Sequence, residues 1–421
     1  MAAIGDRVYR KVMVRVVAVL ALLIVLSSID RVNISFAALR MNRSVGLSPT
    51  AYGVGAGLFF VGYLAFQLPS VALLRRWGAR RWIALSVGGW GLVSIAMAAI
   101  TLPWHFFLLR VLLGVFESGF APGVVWYISR WLPQAYRSRS IALTLLAVPV
   151  SVVIGGPLCG GLVGLDLGGI AGWRLMFLVE GGVTVLLGAI ALIWFADSPD
   201  DARWLDAAER RWIATSLAAE QHGAAARAPV AWGDPVLWLC AFAWLALVTG
   251  ANALIFWLPS VIAASGVHRP VMVGVIAALP WIAIGLGMAL NARHSDRTGE
   301  RFRHVAFGAL LAAAGLALAA ASGGGAPALA LLVVGCLGLG GAQSVFWTIP
   351  TRYLPSDRPG NVAVINLCGN ASSAVAPAAI GWAIQRSGSP DIPVFALAVL
   401  LLCAVGAIAA IRARVAGTMD R

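Results

Sequence analysis

Charge is scarce in this chain: Asp, Glu, Lys and Arg together make up only 11% of its 421 residues, whereas 60% are hydrophobic. The mean hydropathy of +0.88 excludes an ordinary soluble globular domain and indicates a polytopic membrane protein. Because lipid offers backbone groups no hydrogen-bond partner, the long apolar runs are predicted to be helices.

Cysteine and histidine are also few, with five of each. The cysteines all fall in apolar runs without a CxxC pair, which argues against both a disulfide framework and a zinc site. The histidines are scattered and form no metal-binding pattern. With no nucleophile–base set or phosphate-binding loop either, we predict that the protein is not an enzyme and uses no cofactor or metal.

Twelve apolar runs are long enough to span a bilayer, six on each side of a polar stretch. We predict an all-α membrane protein with twelve transmembrane helices in two six-helix halves, residues 1–197 and 234–421, joined by a cytoplasmic segment at 198–233. The predicted spans are 14–38, 51–74, 82–102, 104–127, 140–163, 174–196, 235–259, 271–293, 304–322, 326–349, 360–384 and 391–412.

Lysine and arginine collect in alternate loops. With the N-terminus placed inside, 24 of them lie on the inner side and 5 on the outer side. This bias predicts cytoplasmic N- and C-termini in an inner (plasma) membrane, and it accounts for the net charge of +14 without a nucleic-acid partner. The first span follows a basic stretch and lacks a cleavage motif, so we predict a retained helix. We expect a monomer.

The cytoplasmic segment contains its own helical pattern at residues 202–217, where Trp204 and Trp212 share an apolar face opposite the charged residues 209–211. An amphipathic helix on the cytoplasmic side is predicted, followed by a plain linker at 223–231.

Two short basic turns at corresponding places indicate a weak internal repeat. They read LLRRWGARRW at 73–82 and RHSDRTGERF at 293–302. Each has a glycine that permits a tight reversal, followed by an arginine that can cap helix C-termini or pair with acids on neighbouring helices. The turn residues assigned to gating are Gly78, Arg80, Asp296, Arg297, Gly299 and Arg301.

Two charges lie inside the apolar span 104–127. A charge near the bilayer centre costs at least ~2.5 kcal/mol, so such residues usually face a wet cavity and have a function. Arg110 and Glu117 would lie about 10 Å apart along a helix, on the same face, which suits two groups that address one ligand. A structural ion pair with another helix is the alternative. The predicted stripe consists of Arg110, Gly114, Glu117 and Ala121.

A second charged pair, Asp30 and Arg31, lies in the first span at about the depth of Arg110. Adjacent helical residues point about 100° apart, so the two cannot both face one partner. One arrangement pairs Asp30 with Arg110 and directs Arg31 towards the cavity or Glu117.

Other polar residues in the spans leave alternatives open. Tyr63 either contacts a ligand or makes an ordinary interhelical hydrogen bond. Asn366 and Asn370, at i and i+4, either bind ligand hydroxyls or hold helices together. Glu180 is expected to form a structural pair with Arg174.

Glycine-rich stretches occur in two spans of the first half. The glycines at 53, 55 and 57 are expected to allow close helix approach. GGPLCGG at 155–161 resembles a Gly-Pro motif of antiporters, but a tightly packed, flexible helix is the preferred interpretation.

Several segments of the chain resemble segments of the major facilitator superfamily. RHSDRTGER is similar to its signature loop, although Arg75 stands where the first copy commonly has an acid. Within the superfamily the chain is most similar to the anion:cation symporter family. The segments that carry this resemblance are SIDRVNISFAAL (28–39), GLFFVGYLAFQLPS (57–70), LRVLLGVFESGFAPG (109–123), GWRLMFLVEG (172–181), SPDDARWL (198–205) and INLCGNASSAVAP (365–377).

The resemblance implies that family's chemistry. Its members mostly move organic anions such as sugar acids, tartrate, aromatic acids, nicotinate and glutamate, coupled to protons or sodium. The resemblance also implies an acid–arginine pair in the first helix, an arginine and an acid in the fourth, a substrate-side tyrosine and two asparagines in the eleventh. These roles map to Asp30, Arg31, Arg110, Glu117, Tyr63, Asn366 and Asn370.

We therefore expect proton-coupled uptake of a small organic anion, such as a sugar acid or an aromatic or dicarboxylic acid, by alternating access. Asp30 and Glu117 would carry protons, and Arg31 and Arg110 would hold the carboxylate, because arginine binds carboxylates in a bidentate way and keeps its charge. The expected partners are the anion, protons and the lipid bilayer. The alternative is an exchanger or facilitator without proton coupling.

Overall fold

The computed structural model describes residues 2–220, 230–354, 358 and 360–419, and nearly all of them are helical. Each of the twelve predicted spans overlaps one or two helices. Ten described helices are long and apolar enough to cross a membrane, and a shorter apolar helix covers 150–164. The predicted all-α membrane fold is confirmed. The linker predicted at 223–231 falls mostly outside the described residues.

The first six spans are covered by eight helices. A π-helical turn at Met13–Val17 joins the first two of them. The helices are α1 (Ala2–Val12), α2 (Ala18–Val45), α3 (Pro49–Trp77), α4 (Ala79–Met97), α5 (Pro103–Glu117), α6 (Phe120–Ser129), α7 (Gln134–Gly164) and α8 (Gly172–Trp194).

The remaining helices begin with one in the polar segment 198–233. They are α9 (Ala207–Glu220), α10 (Pro235–Ala264), α11 (Pro270–Thr298), α12 (Phe302–Ala321), α13 (Gly325–Phe346), α14 (Thr348–Tyr353), α15 (Gly360–Ser387) and α16 (Asp391–Met419).

The helices form two compact units, whose boundaries fall inside α2, α3 and α7. In unit 1, α4 packs along α8 and against α5. In unit 2, α13 packs on α11 and α12, while α16 packs on α10 and α12, and α10 also packs on α15. Unit 1 comprises Met1–Arg31, Val61–Val152 and Leu165–Ala225; unit 2 comprises Val32–Phe60, Val153–Gly164 and Ala226–Arg421.

Glycines bring helix backbones into contact in unit 2, as the sequence predicted. A Cβ added at Gly53 or Gly57 of α3 would overlap backbone carbonyl groups of α15, and one at Gly160 of α7 would overlap those of α11. The partners are Pro377, Ala374 and Pro270, respectively. These residues are therefore sites of close helix approach.

The span predicted at 104–127 is interrupted. Helix α5 ends at Glu117 and α6 begins at Phe120. Gly119 lies so close to α3 and α4 that a Cβ there would overlap the Ser70 hydroxyl, and the Ser118 hydroxyl donates to the carbonyl of Val115. A hydroxyl bound to its own turn competes with the helical ladder. Ala121 lies beyond this break, so it does not continue the helix of Arg110, Gly114 and Glu117 as the predicted stripe required.

Helix α4 ends at Met97, five residues before the predicted end of its span at 102. The guanidinium of Arg174 donates to the carbonyl oxygens of Ala98 and, at 3.0 Å, of Ile100, and it lies over the Trp173 ring. Arg174 therefore satisfies the carbonyls left free where α4 stops. Its predicted pairing with Glu180 was wrong.

The predicted cytoplasmic helix begins at Ala207 rather than 202, because Asp206 caps it. The Asp206 carboxylate accepts from the Glu209 N–H at 2.8 Å, and the Glu209 carboxylate accepts from the Asp206 N–H at 3.0 Å. This reciprocal capping box fixes the N-terminus.

Glu209 was assigned to the charged outer face of this helix, but its side chain is buried. It pairs with Lys11 at 2.8 Å and with Arg7 at 3.8 Å, both on α1. Trp204 also packs inward, stacked on Trp131. The N-terminal helix thus covers the face that the sequence pattern suggested was solvated.

Candidate functional site

The interior of unit 1 contains an ion pair between α2 and α5. An Arg31 guanidinium nitrogen lies 2.9 Å from Glu117 Oε2, and the Ser27 hydroxyl donates to the same oxygen at 3.0 Å. Ser27 and Arg31 are four residues apart, so they share one face of α2. Of the two directions left open for Arg31, the structure has the one towards Glu117.

The pair is accessible from one side only. The Arg31 side chain is 31% exposed, whereas that of Glu117 is 0% exposed. The Arg31 guanidinium also lies 6.0 Å from the centre of the Tyr63 ring on α3, at the limit of a cation–π contact. The exposed cation is therefore the part of the cluster that a ligand can reach, and Tyr63 lies beside it.

Glu117 is only half satisfied. Its second oxygen, Oε1, is buried and accepts no hydrogen bond within the described part of the chain. Leaving a buried polar atom unpaired costs about 1–3 kcal/mol, and more for a charged group. Glu117 is therefore held through one oxygen only, by Arg31 and Ser27.

Asp30 faces a different pair of helices from Arg31, as expected for adjacent residues. The Ser94 hydroxyl of α4 donates to Oδ1 and the Thr184 hydroxyl of α8 donates to Oδ2, both at 3.3 Å. Asp30 is 2% exposed. The structure thus brings it between α4 and α8, and its pairing with Arg110 stays a prediction.

Arg110 lies on the buried stripe of α5. The stripe consists of Phe106, Arg110, Leu113, Gly114 and Glu117, which is the 3–4 spacing of one helix face. The seven-residue separation between Arg110 and Glu117 corresponds to about 10 Å along the axis. Arg110 is 1% exposed, and it is the only arginine among the buried side chains that the structure describes.

The two asparagines predicted to bind ligand lie on α15 of unit 2, where Asn366 is exposed and Asn370 is half-buried. Asn252 of the same unit has a hydrogen-bonded side chain. Its amide donates to the Ser373 hydroxyl at 2.7 Å and to the Val248 carbonyl at 3.0 Å. Asn252 therefore holds α10 to α15.

The hydroxyl partners of the acids were not foreseen from the sequence. Ser27 lies one turn before Arg31, and Thr184 lies one turn after Glu180. Hydroxyl residues one turn from a charge inside an apolar span are a usable signal, because both side chains lie on one helix face. Ser94 carries no such signal, since its own helix has no charge nearby.

The first basic turn, at 73–82, has the contacts expected of it. Gly78 has φ +84°, and a Cβ there would meet the Asp197 carboxylate. That carboxylate accepts from the backbone N–H of Arg80 at 2.9 Å, and the Arg80 guanidinium donates to the Leu192 carbonyl near the end of α8. Arg80 therefore caps a helix C-terminus.

The second turn closes on itself. Gly299 has φ +70° and ends α11 in the left-handed conformation. The Arg301 guanidinium contacts Asp296 at 2.6 Å and the Ser295 hydroxyl at 2.9 Å. Arg297 is exposed.

Among the residues that the structure describes, no three or more His, Cys, Asp or Glu side chains are grouped so that they could hold a metal ion.

Comparison with known proteins gives consistent matches. The model of the Major Facilitator Superfamily matches residues 20–377. A putative tartrate transporter of Agrobacterium vitis is 40% identical over 402 residues, which are 94% of this chain and 89% of the relative. A quinolone resistance transporter of Acinetobacter baumannii is 34% identical over 94% of this chain and 92% of its own.

A solved structure has the same fold. A bacterial homolog of the human lysosomal transporter Spinster, in an inward-facing and occupied conformation, matches with a TM-score of 0.77 over 96% of this chain and 97% of its own. The sequence identity is 18%, so this match concerns the fold alone.

Proposed function

Because this chain belongs to the major facilitator superfamily, we propose that it takes up a small organic anion together with protons by alternating access. The family and the relatives are transporters, so the protein is not an enzyme. The relative named as a putative tartrate transporter supports a hydroxylated dicarboxylic acid as the first substrate to test.

The observation that carries the proposal is the one-sided ion pair between Arg31 and Glu117. Glu117 is buried and has one oxygen without a hydrogen-bond partner in the described part of the chain. Its partner Arg31 is the exposed member of the pair. When Glu117 takes a proton, its carboxylate charge disappears and the ion pair is lost. The guanidinium of Arg31 is then available for a substrate carboxylate, which it can bind through two parallel hydrogen bonds.

Release reverses these steps. When Glu117 loses its proton, the carboxylate competes with the substrate for Arg31, and the anion leaves. Proton and anion therefore occupy the site together, which is the requirement for symport. A carboxylate that loses a nearby cation is disfavoured in a low-dielectric interior, so the charged, empty state returns to the ion pair.

The other predicted residues extend this site. We assign Asp30 to proton coupling with Glu117, and Arg110 to a second contact with the substrate carboxylate. Tyr63 would contact the substrate beside Arg31. In unit 2, Asn366 and Asn370 would recognise neutral groups such as hydroxyls of the substrate.

The two basic turns are proposed to act in gating. Gly78 and Arg80 tie the first turn to α8 through Asp197. In the second turn Asp296, Arg297, Gly299 and Arg301 would do the same for the second repeat. Breaking and re-forming such contacts at the cytoplasmic side would accompany alternating access.

We further propose an inner membrane location with cytoplasmic termini, a monomeric state, and repeat halves at 1–197 and 234–421 joined by 198–233. The charge bias of 24 to 5 supports the orientation.

Reconstitution into proteoliposomes tests the proposed coupling. Tartrate, sugar acids and aromatic acids are added to vesicles, and external pH and anion uptake are recorded together. One of these acids is expected to make the external medium alkaline. Glu117→Gln should abolish the alkalinisation while anion counterflow persists, because exchange needs no net proton transfer.

Asp200→Asn is the matched control, since it removes an exposed acid of the cytoplasmic segment and should leave coupling unchanged. If the wild type exchanges anions without any proton movement, the symport proposal fails and the exchanger alternative replaces it.

A further inference from the structure

Two histidines of unit 2 meet where the second basic turn, at 293–302, connects α11 to α12. His294 lies near the end of α11, and His304 lies in the first turn of α12. The Nδ1 atom of His294 is 2.7 Å from the Nε2 atom of His304, and the ring centres are 4.9 Å apart. One of these nitrogens donates a hydrogen bond and the other accepts it. The bond therefore joins the two helices across the turn.

The two rings have different surroundings. The His304 side chain is 12% exposed, and its Nδ1 atom is 3.4 Å from Glu300 Oε2. The Glu300 carboxylate is fixed in this place, because it also accepts from the Arg303 backbone N–H at 2.7 Å. His294 is exposed. A single positive charge on the pair is therefore stabilised on His304, beside the carboxylate, while water has access to His294.

Other hydrogen bonds hold the same junction together. The Asn291 amide donates to the His304 backbone carbonyl at 3.1 Å and to the Gly341 carbonyl of α13 at 2.7 Å. The Ser295 hydroxyl donates to the Glu300 backbone carbonyl at 2.8 Å. Amides and hydroxyls keep their charge between about pH 5 and 8, whereas imidazoles titrate in that range. The histidine pair is therefore the contact of this junction that can respond to pH.

The charged groups around the pair are mostly positive. Arg303 of α12 and Arg412 of α16 line one cavity beside the junction. The described helices α10 and α13, which pack on α11, contain no charged side chain. The charged and titratable groups that the turn, the cap of α10 and the helices α11, α12, α14 and α16 contribute are Asp234, Arg293, Asp296, Arg297, Glu300, Arg301, Arg303, Arg352, Tyr353, Arg412 and Arg414. Arginines outnumber acids in this set, so a second positive charge on the pair is repelled.

The bond between the rings exists only in some protonation states. It needs a hydrogen on one of the two facing nitrogens and a lone pair on the other. Both conditions hold when the rings are neutral and when one ring is charged, and the charge then strengthens the bond. When both rings are charged, every ring nitrogen carries a hydrogen and no acceptor remains. The second proton therefore breaks the bond and leaves two like charges in contact.

We propose that His294 and His304 form a pH-sensitive clasp, which holds α11 to α12 while the pair carries at most one positive charge and opens when both rings are protonated. Opening forms an N–H bond on the accepting nitrogen, with a proton from water, and breaks the N–H···N hydrogen bond. Closing returns that proton to water.

The clasp would regulate the proposed transport cycle. The turn belongs to the proposed gating contacts on the side where symport releases its protons. Protons that accumulate there would open the clasp and slow alternating access. This regulatory part rests on the proposed function, whereas the clasp itself does not.

Hydrogen exchange tests the clasp without any substrate. Amide exchange at residues 294–304 is measured between about pH 8 and about pH 5, where imidazoles change charge, and is corrected for the intrinsic pH dependence of exchange. In the wild type, protection should fall as the pH falls. His294→Ala should have low protection without this pH dependence, because one ring alone cannot form the bond. His268→Ala is the matched control: it removes an exposed histidine outside the junction, and the wild-type pH dependence should persist.

A wild type with the same protection at both pH values would overturn the inference, as would an unchanged pH dependence in His294→Ala. If His294→Ala does not fold, nuclear magnetic resonance of the wild type labelled with ¹⁵N at histidine decides the question. A ¹⁵N–¹⁵N coupling across the hydrogen bond is expected at about pH 8 and should be lost at about pH 5. Its absence at the higher pH, or its persistence at the lower one, would contradict the clasp.

Transport measurements separate the clasp from the proposed function. Anion counterflow is recorded in proteoliposomes with the same pH on both sides, so that no proton gradient contributes. Acidification should slow counterflow more in the wild type than in His294→Ala, and His268→Ala should behave as the wild type does. Equal slowing in the wild type and His294→Ala would overturn the regulatory part. Absence of proton movement in the wild type would refute the symport proposal and leave the hydrogen-exchange result valid.

Discussion

The interiors of the two units differ in the charge of their buried side chains. All buried charged side chains that the structure describes lie in unit 1, whereas the buried polar side chains described in unit 2 are neutral. Glycines allow close helix packing in both units. In unit 2 a Cβ at Gly340 of α13 would overlap the Ile284 carbonyl of α11, and in unit 1 one at Gly62 of α3 would overlap the Val111 carbonyl of α5. The two interiors therefore differ in buried charge, and the charged residues of the proposed site all lie in unit 1.

The largest effect is expected from Arg31→Ala in unit 1. It removes the guanidinium that binds the substrate carboxylate in the proposed cycle, and losing one partner of such a charged contact costs about 2–5 kcal/mol, roughly 30-fold or more in affinity. Anion uptake at sub-saturating concentration should fall accordingly, and Arg31→Lys should recover only part of it, because lysine lacks the planar fork. Asn366→Ala in unit 2 should raise KM by a few-fold and leave the pH profile unchanged. Equal losses from the two substitutions would remove the contrast between the units.

The helix packing of unit 2 should be sensitive to added volume at its glycines. Gly340→Ala forces α13 away from α11, and overpacking of this kind costs about 1–3 kcal/mol. A lower melting temperature in detergent is expected. Gly285→Ala in α11 is the matched control, because a Cβ there meets nothing within 4 Å. If both variants melt alike, glycine contacts do not stabilise this unit.

The turns at Gly78 in unit 1 and Gly299 in unit 2 differ in a smaller way. Both glycines have positive φ, so alanine at either one should cost about 1–2 kcal/mol. Gly78→Ala should cost more, because it also displaces Asp197, whereas a Cβ at Gly299 has open space. Thermal unfolding of the two glycine variants measures this difference. In the double variant Gly78→Ala, Asp197→Ala, the combined loss of stability should be smaller than the sum of the two single losses.

The smallest effect is expected at the cap of α9. The pKa of Asp206 is lowered, chiefly because its carboxylate accepts the Glu209 N–H. A lowered folded-state pKa means that this stabilisation is present above the unfolded pKa and is lost as pH falls through the folded value. Acidification should therefore loosen the N-terminus of α9, which a loss of protection against amide hydrogen exchange would report. Asp206→Asn keeps the acceptor but does not titrate, so the acid-induced loss of protection should be smaller.

The positions of the spans could be predicted because hydrophobic length is a property of the chain itself. The break at Ser118–Gly119 could not, since it arises from the approach of Ser70 on another helix and interrupts an otherwise apolar run. Glu209 was misplaced for a similar reason: a helical pattern defines two faces, but it does not say which face a distant segment such as α1 will cover.

The site was foreseeable in its residues and less so in its pairings. Buried charges stand out in an apolar sequence, so Asp30, Arg31, Arg110 and Glu117 could be chosen directly. Which acid meets which arginine depends on helix rotations, and the sequence left Arg31 with two possible directions. Arg174 was assigned to Glu180 by proximity along the chain, yet the carbonyls at the end of α4 bind it.

The sharing of α2, α3 and α7 between the two units has a consequence for fragment complementation. Cutting the chain between Glu220 and Val230 would sever no described helix, but the N-terminal fragment would carry 32–60 and 153–164 away from the rest of unit 2. The C-terminal fragment would then lack these two parts of unit 2. Separately expressed fragments would have to bind each other through the glycine contacts of α3 with α15 and of α7 with α11. These contacts would therefore determine whether unit 2 can re-form from two fragments.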